Sequence, residues 1–240
     1  MKVILFGATG MVGQGVLREC LLDAGVERVL VVGRSPTGQH DAKLLEVLHK
    51  DFTNFSAIES ELGGYDACFF CLGVSSVGMD PERYRHLTHD ITLSAANTLV
   101  ALNPRMVFTY VTGRSTDSTE QGPVRWARVK GKTENDLLKL PFKAAYMFRP
   151  AGIQPLHGVR SKVSWIQAIY VVTAPLLSSR PQCAEVHDHQ RTARPRHDQG
   201  GTRWLSEAGA GERGYQLSLI VIPRCAIAHL RARAARARNP

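Results

Sequence analysis

The chain has 240 residues, 30 Lys and Arg against 21 Asp and Glu, and five cysteines. That length supports one α/β domain of moderate size with a short appendage and excludes a second large domain. The cysteines (Cys20, Cys68, Cys71, Cys183 and Cys225) are odd in number and lack zinc-site spacing, which excludes a disulfide framework and predicts reduced thiols. Lys2 to Phe6 runs straight into a glycine loop with no charged and apolar leader before it, so the expected compartment is the cytoplasm. The net charge of +9 is uneven. Residues 1–177 carry 19 basic against 16 acidic side chains, whereas residues 178–240 carry 11 against 5, all 11 being arginine. The basicity therefore belongs to the tail, and no nucleic-acid partner is expected.

In chain order, the aliphatic run Lys2 to Phe6 predicts a strand, and Met11 to Leu22, apolar at helical spacing, predicts a helix. Apolar runs at Val29 to Val32 and Leu44 to Leu48 predict the second and third strands, and Asp66 to Leu72 the fourth. A long helical pattern from Pro81 stops at Leu102, before Asn103-Pro104, where proline disfavours continuation. Met106 to Val111 is the fifth strand, Trp126 to Leu140 a helix, and Ala144 to Arg149 the sixth strand. Strands alternating with helices predict a doubly wound parallel sheet of the Rossmann type in residues 1–177.

The loop Gly7-Ala8-Thr9-Gly10-Met11-Val12-Gly13 joins the first strand to the first helix with glycines at 7, 10 and 13. A glycine turn there lets the backbone approach a pyrophosphate, whose charge meets the helix N-terminal amides. Gly7, Thr9, Gly10, Met11, Val12 and Gly13 are thus candidate dinucleotide-binding residues. Arg34 follows the second strand, where an acid would bond the ribose 2′-hydroxyl of NAD and an arginine accommodates the 2′-phosphate of NADP, so the expected cofactor is NADP. Asp51 and Phe52 follow the third strand where an adenine would lie. A helix N-cap and a core aromatic are the competing roles for this pair.

With Val32-Gly33-Arg34, Cys71-Leu72-Gly73, Val129-Lys130-Gly131-Lys132-Thr133-Glu134 and Phe148-Arg149-Pro150, the glycine loop resembles the atypical short-chain dehydrogenase/reductase proteins. The likeness is to the epimerase-like group related to the Tat-interacting oxidoreductase, and it spans residues 1 to about 177. The resemblance implies NADP at the C-terminal edge of the sheet, Leu72 and Gly73 near the ribose, and Lys130 bonding the nicotinamide ribose. It also implies that Thr112 stands where a serine or threonine bonds a substrate carbonyl, making Thr112 and Lys130 the candidate catalytic pair on an unknown carbonyl or hydroxyl substrate. That superfamily uses a Tyr-x-x-x-Lys pair as acid or base. Here the tyrosine position is Trp126, whose indole cannot exchange a proton at neutral pH, so a non-catalytic redox-sensing or regulatory protein with a protein partner is the second reading. Tyr84 and Tyr110 are alternative phenols that the sequence does not place.

Cys68-Phe69-Phe70-Cys71 has redox spacing, but in a buried strand its two cysteines point to opposite faces and read as core. Val163 to Leu177 is 15 apolar residues, short of the roughly 20 that cross a bilayer. It reads as a helix over a substrate pocket, with weak membrane contact as the lesser option.

Residues 178–240 show no sustained helical or strand period and read as a poorly ordered tail. The codons available to His187 through Gln199 permit, one base later, Met-Thr-Thr-Ser-Glu-Gln-Leu-Gly-Arg-Ala-Met-Ile, the start of a capped amphipathic helix. A single-base frameshift between Leu177 and Cys183 is therefore expected, with the tail out of frame.

Overall fold

The computed structural model describes residues 1–150 and the strand Glu185–His187. In chain order the elements are β1 (Lys2–Phe6), α1 (Met11–Leu22), β2 (Arg28–Gly33), β3 (Leu44–Leu48), a 3-10 turn (Ser56–Glu61) and β4 (Ala67–Phe70). There follow α2 (Pro81–Arg85), a π-helical turn (His86–Asp90), α3 (Ile91–Leu102), β5 (Val107–Val111), α4 (Arg125–Leu137), β6 (Ala144–Arg149) and β7 (Glu185–His187).

The sheet order is β3-β2-β1-β4-β5-β6-β7. The first six strands run parallel, with Val3 opposite Val29 on one side and Ala67 on the other. This is the expected doubly wound Rossmann-type sheet with flanking helices. Strand order reverses between β1 and β4, which opens a crevice beyond the C-terminal ends of those strands, where open α/β sheets take their ligands.

The continuous apolar runs are explained by burial on both faces. On one face Ile4, Phe6, Leu30, Cys68, Phe70 and Phe108 pack with Ile91, Ala95 and Leu99 of α3. On the other, Val3, Leu5, Val29, Val31 and Phe69 pack with Val16, Leu17 and Cys20 of α1. The Phe6 ring lies 5.2 Å from Phe70, 6.0 Å from Phe55 and 6.1 Å from Phe52, mostly edge to face, each such pair adding about 0.5–1.5 kcal/mol beyond area burial.

The helix expected over residues 81–102 is present but interrupted. Asp80 caps α2 by accepting the amides of Glu82 and Arg83 at 3.0 Å each, with Pro81 at the first position. The π turn then joins α2 to α3 with one extra residue in the turn. Asn103 ends α3, its amide donating to Leu62 O at 2.9 Å and Leu99 O at 3.2 Å while its oxygen accepts the Tyr65 amide at 3.0 Å. The fourth strand is shorter than expected, Ala67–Phe70 rather than 66–72, because the chain turns across Gly7 after Cys71. Helix α4 ends at Leu137, three residues early, closed by bonds from Leu138 to Glu134 and Lys139 to Asp136 ahead of Pro141.

Within residues 178–240, where no strand period is sustained, Glu185–His187 pairs antiparallel with β6, Phe148 opposite Val186. Edge pairing uses backbone groups that any residue type supplies, so side-chain periodicity does not reveal it. The apolar stretch at 163–177 and the rest of the tail lie outside the described residues. Among those described, no helix is long and apolar enough to cross a membrane.

Candidate functional site

The glycine loop sits at the C-terminal end of β1, at the switch point. Gly7 has φ +78°, and a Cβ there would stand 2.7 Å from the backbone of Cys71 and Leu72. A Cβ at Gly13 would meet Gly7 O at 2.0 Å, so α1 starts directly against the strand end. The Gly10 amide donates to Gly7 O at 2.9 Å and closes the turn. Gly10 then caps α1 without a side-chain acceptor, and no acid stands in the first turn. The opening amides of Met11, Val12 and Gly13 thus have no side-chain partner, and the positive end of the helix faces the crevice. An anionic pyrophosphate fits this cradle.

Arg34 lies exposed just past β2, and its side chain makes no hydrogen bond or ion pair with a described residue. Leu72 and Gly73 follow β4 beside the loop, Gly73 exposed with nothing within 4 Å of its added Cβ. Asp51 is exposed beyond β3, where its carboxylate accepts the Thr53 amide at 2.9 Å and hydroxyl at 2.5 Å, which hold its carboxyl below the usual range. Phe52 departs from the expectation of an aromatic edge for an adenine. It is 5% exposed, with its ring in the cluster of Phe6, Phe55 and His49, so only its backbone is left at the strand end.

Thr112 also departs from its expected role. Its hydroxyl lies 2.6 Å from Glu134 Oε1 and 3.2 Å from Phe148 O, and a hydroxyl carries a single proton. Bonding to the charged oxygen leaves Thr112 no donor for a substrate carbonyl. Glu134 in turn receives Arg149, whose Nε lies 3.1 Å from each carboxylate oxygen and whose Nη2 also bonds Oε2, the pair being 2% and 10% exposed. This ion pair of α4 and β6 was not foreseen. Glu134 ends the Val129–Glu134 motif and Arg149 lies within Phe148–Pro150, and an acid and a base in consecutive motifs were the signal in the sequence.

Lys130 stands one helical turn before Glu134 and one after Trp126, so all three share a face of α4. Burial pushes the Lys130 ammonium below its ordinary range, and the nearby Glu134 carboxylate offsets that only in part. Trp126 lies against the backbone after β5, its Cζ3 4.0 Å from where a Cβ of Gly113 would sit.

Of the two phenols, Tyr110 is sealed in the core, where burial raises its pKa and its hydroxyl is out of a ligand's reach. Tyr84 lines a cleft of about 290 Å³ together with Trp126, between the β4–α2 loop and the start of α4. A hollow of about 590 Å³ at Asp41 and Leu45 lies at the start of β3, the opposite end of the sheet from the glycine loop.

Cys68 and Cys71 are core, as expected. Cys68 packs on the α3 face and Cys71 against the α1 face, and burial pushes both thiols up, as it pushes Cys20 to about 12.

No family model matches the chain. Among curated proteins it is similar to the mitochondrial protein FMP52-1 of Scheffersomyces stipitis, 24% identical over 152 residues, covering 62% of this chain and 66% of that protein. The mitochondrial protein FMP52-2 of the same yeast is 28% identical over 171 residues, covering 70% and 72%. The chain thus spans just under two thirds of the first of these. Among solved structures it is similar to a UDP-glucuronic acid 4-epimerase from Bacillus cereus in complex with NAD, with a TM-score of 0.55 at 14% identity over 76% of this chain and 64% of the other. A UDP-glucose 4-epimerase from Thermotoga maritima with UDP-glucose has a TM-score of 0.54 at 16% identity, covering 74% and 63%. The structural likenesses show a Rossmann-type fold shared with these epimerases. The curated relatives overturn the expected cytoplasmic location, since they are named mitochondrial proteins.

Proposed function

We propose that this chain binds NADP at the C-terminal edge of its sheet and belongs to the oxidoreductase or epimerase-like chemistry of the proteins it resembles. The observation that carries the reading is the uncapped start of α1 packed against Gly7, with no side-chain acceptor for its amides. In this reading Gly7 through Gly13 hold the pyrophosphate, Arg34 meets the 2′-phosphate, Asp51 and the Phe52 backbone border the adenine, and Leu72, Gly73 and Lys130 border the riboses. The bound cofactor would supply hydride at the nicotinamide. The protein's own residues would bind and orient it, and the chemistry belongs to an unidentified carbonyl or hydroxyl compound. That the Bacillus cereus epimerase was solved in complex with NAD supports a dinucleotide cofactor for this fold.

The test is calorimetric titration of the full chain with NADPH and NADH, before and after Arg34→Ala, followed by NADPH oxidation across a panel of carbonyl compounds. Tight NADPH binding, lost toward NADH-like affinity in Arg34→Ala, is the expected result. Preference for NADH in the wild type would overturn the role of Arg34.

A second reading, a redox-responsive binding protein without turnover, is favoured by Trp126 at the position of the expected acid. Tight NADPH binding with no oxidation on any compound would establish it.

Residues 178–240 we read as out of frame. Sequencing the gene through codons 175–185 tests this, and an intact frame without a nearby insertion or deletion would overturn it.

A further inference from the structure

The cleft between the β4–α2 loop and the start of α4 has a one-sided chemistry. Tyr84, Trp126, Met79 and Pro81 give it apolar and aromatic walls, and its charged lining consists of Arg125 and Arg128. Neither arginine has an ion-pair partner among the described residues, and no carboxylate is among the described lining. Arg128 donates one guanidinium N–H to Gly122 O at 2.5 Å, which fixes the group beside the cleft while leaving other N–H groups for a ligand. Arg125 is exposed at the first position of α4.

Two uncompensated guanidinium groups near a helix start, where the backbone also favours negative charge, make the rim a site for an anion. Aromatic walls favour a flat apolar body. At about 290 Å³ the cleft is at the small end of ligand pockets, large enough for one or two fused rings and too small for a nucleotide sugar. Trp126 belongs to this cleft and stands one turn before Lys130, so a ligand here borders the face of α4 that carries the proposed cofactor lysine.

We propose that this cleft is the substrate-recognition site and takes a small planar apolar molecule bearing a carboxylate or similar anion. The aromatic body lies along Tyr84 and Trp126, and the anion meets Arg125 and Arg128. The proposal rests on the reading of the adjacent crevice as a dinucleotide site, but none of Gly7 to Gly13, Arg34 or Lys130 lines the cleft, so the two separate by experiment.

The test is calorimetric titration of the full chain with 2-naphthoate and with its uncharged counterpart 2-naphthamide. We expect naphthoate to bind at least tenfold more tightly than naphthamide. Arg125→Gln should abolish that preference with no change in melting temperature, because Arg125 is exposed. Arg128→Gln should likewise abolish the preference, and Arg128→Lys should keep the charge and restore most of it. Trp126→Ala should weaken both compounds alike. Equal affinity for the two compounds, undiminished naphthoate binding in both arginine variants, or displacement of naphthoate by NADPH in a competitive manner would overturn the proposal. NADPH is titrated in parallel against wild type and Arg125→Gln. Naphthoate binding as expected with no NADPH binding sinks the dinucleotide reading alone, and NADPH binding without naphthoate binding sinks the cleft alone.

Discussion

Arg149, at the end of β6, sets its Nε 3.1 Å from both oxygens of Glu134 on α4, and the pair is almost fully removed from water. Thr112, just past β5, donates to the same carboxylate at 2.6 Å. One buried acid therefore joins two strand ends to the helix that carries Lys130 and Trp126. Burying two charges is costly, and the geometry offsets the cost only because the carboxylate is satisfied from several sides.

Breaking this pair from one side leaves the other charge uncompensated. Glu134→Gln or Arg149→Met is expected to lower stability by about 3–5 kcal/mol, read as a fall in the urea midpoint at unchanged slope. The double variant should lose less than the sum of the two. Strict additivity would show that the two side chains do not depend on each other.

Lys130 gives a pH dependence of definite sign. Burial lowers its folded-state pKa below the ordinary 10.5, so between those two values the unfolded chain holds more protons than the folded one. Stability from this group therefore rises with pH across that window, and the burial penalty is complete below it. Lys130→Met is expected to stabilise the domain by on the order of 1 kcal/mol at pH 7, the gain shrinking as pH approaches 10.5. Denaturant melts of both proteins at pH 7, 8.5 and 9.5 check this, and other titrating groups cancel in the difference. A gain that grows with pH would contradict the sign.

Gly131 is where α4 touches the loop after β5. A Cβ there would stand 1.7 Å from the carbonyl oxygen of Asp117, a backbone atom that cannot swing aside. Alanine in a helix interior ordinarily gains about 1 kcal/mol over glycine. Here overpacking, on the order of 1–3 kcal/mol or more, is expected to win, so Gly131→Ala should melt lower and raise amide exchange in residues 114–122. Gly63→Ala, with open space around it, is the control and should leave the melting temperature unchanged. A higher melting temperature in Gly131→Ala would mean that the loop yields freely.

Most of the sheet was legible because β1, β2 and β4 are covered on both faces and so read as nearly continuous apolar runs, and α1 and β6 fall where spacing places them. The π turn was not legible. His86-Leu87-Thr88-His89-Asp90 continues a helical pattern, and one extra residue in a turn leaves no mark in spacing. The glycine loop could be read from position alone, since strand, turn and helix follow within a dozen residues. Thr112 and Arg149 are 22 and 15 residues from Glu134, and their meeting depends on how α4 settles against β5 and β6. For the same reason Phe52 and Thr112 were placed by position in the chain, whereas packing turned one into the core and the other to a carboxylate.

In the proposed function, Trp126 is the residue that decides whether turnover occurs. It shares a face of α4 with Lys130, lies over the backbone at Gly113 and opens on the cleft, so a phenol at 126 would stand where a proton can be delivered and next to a depressed lysine. Tyr110 cannot take this part from within the core. Trp126→Tyr is therefore expected to raise NADPH-dependent reduction of small carboxylate-bearing aryl aldehydes by about a hundredfold over wild type, the lower range for one general acid. Trp126→Phe, equally smaller than tryptophan but without the proton, should give no such gain. The gained rate should fall at alkaline pH as the new phenol ionises. Equal rates in the Tyr and Phe variants would show that space in the cleft, and not a missing acid, limits the wild-type chain.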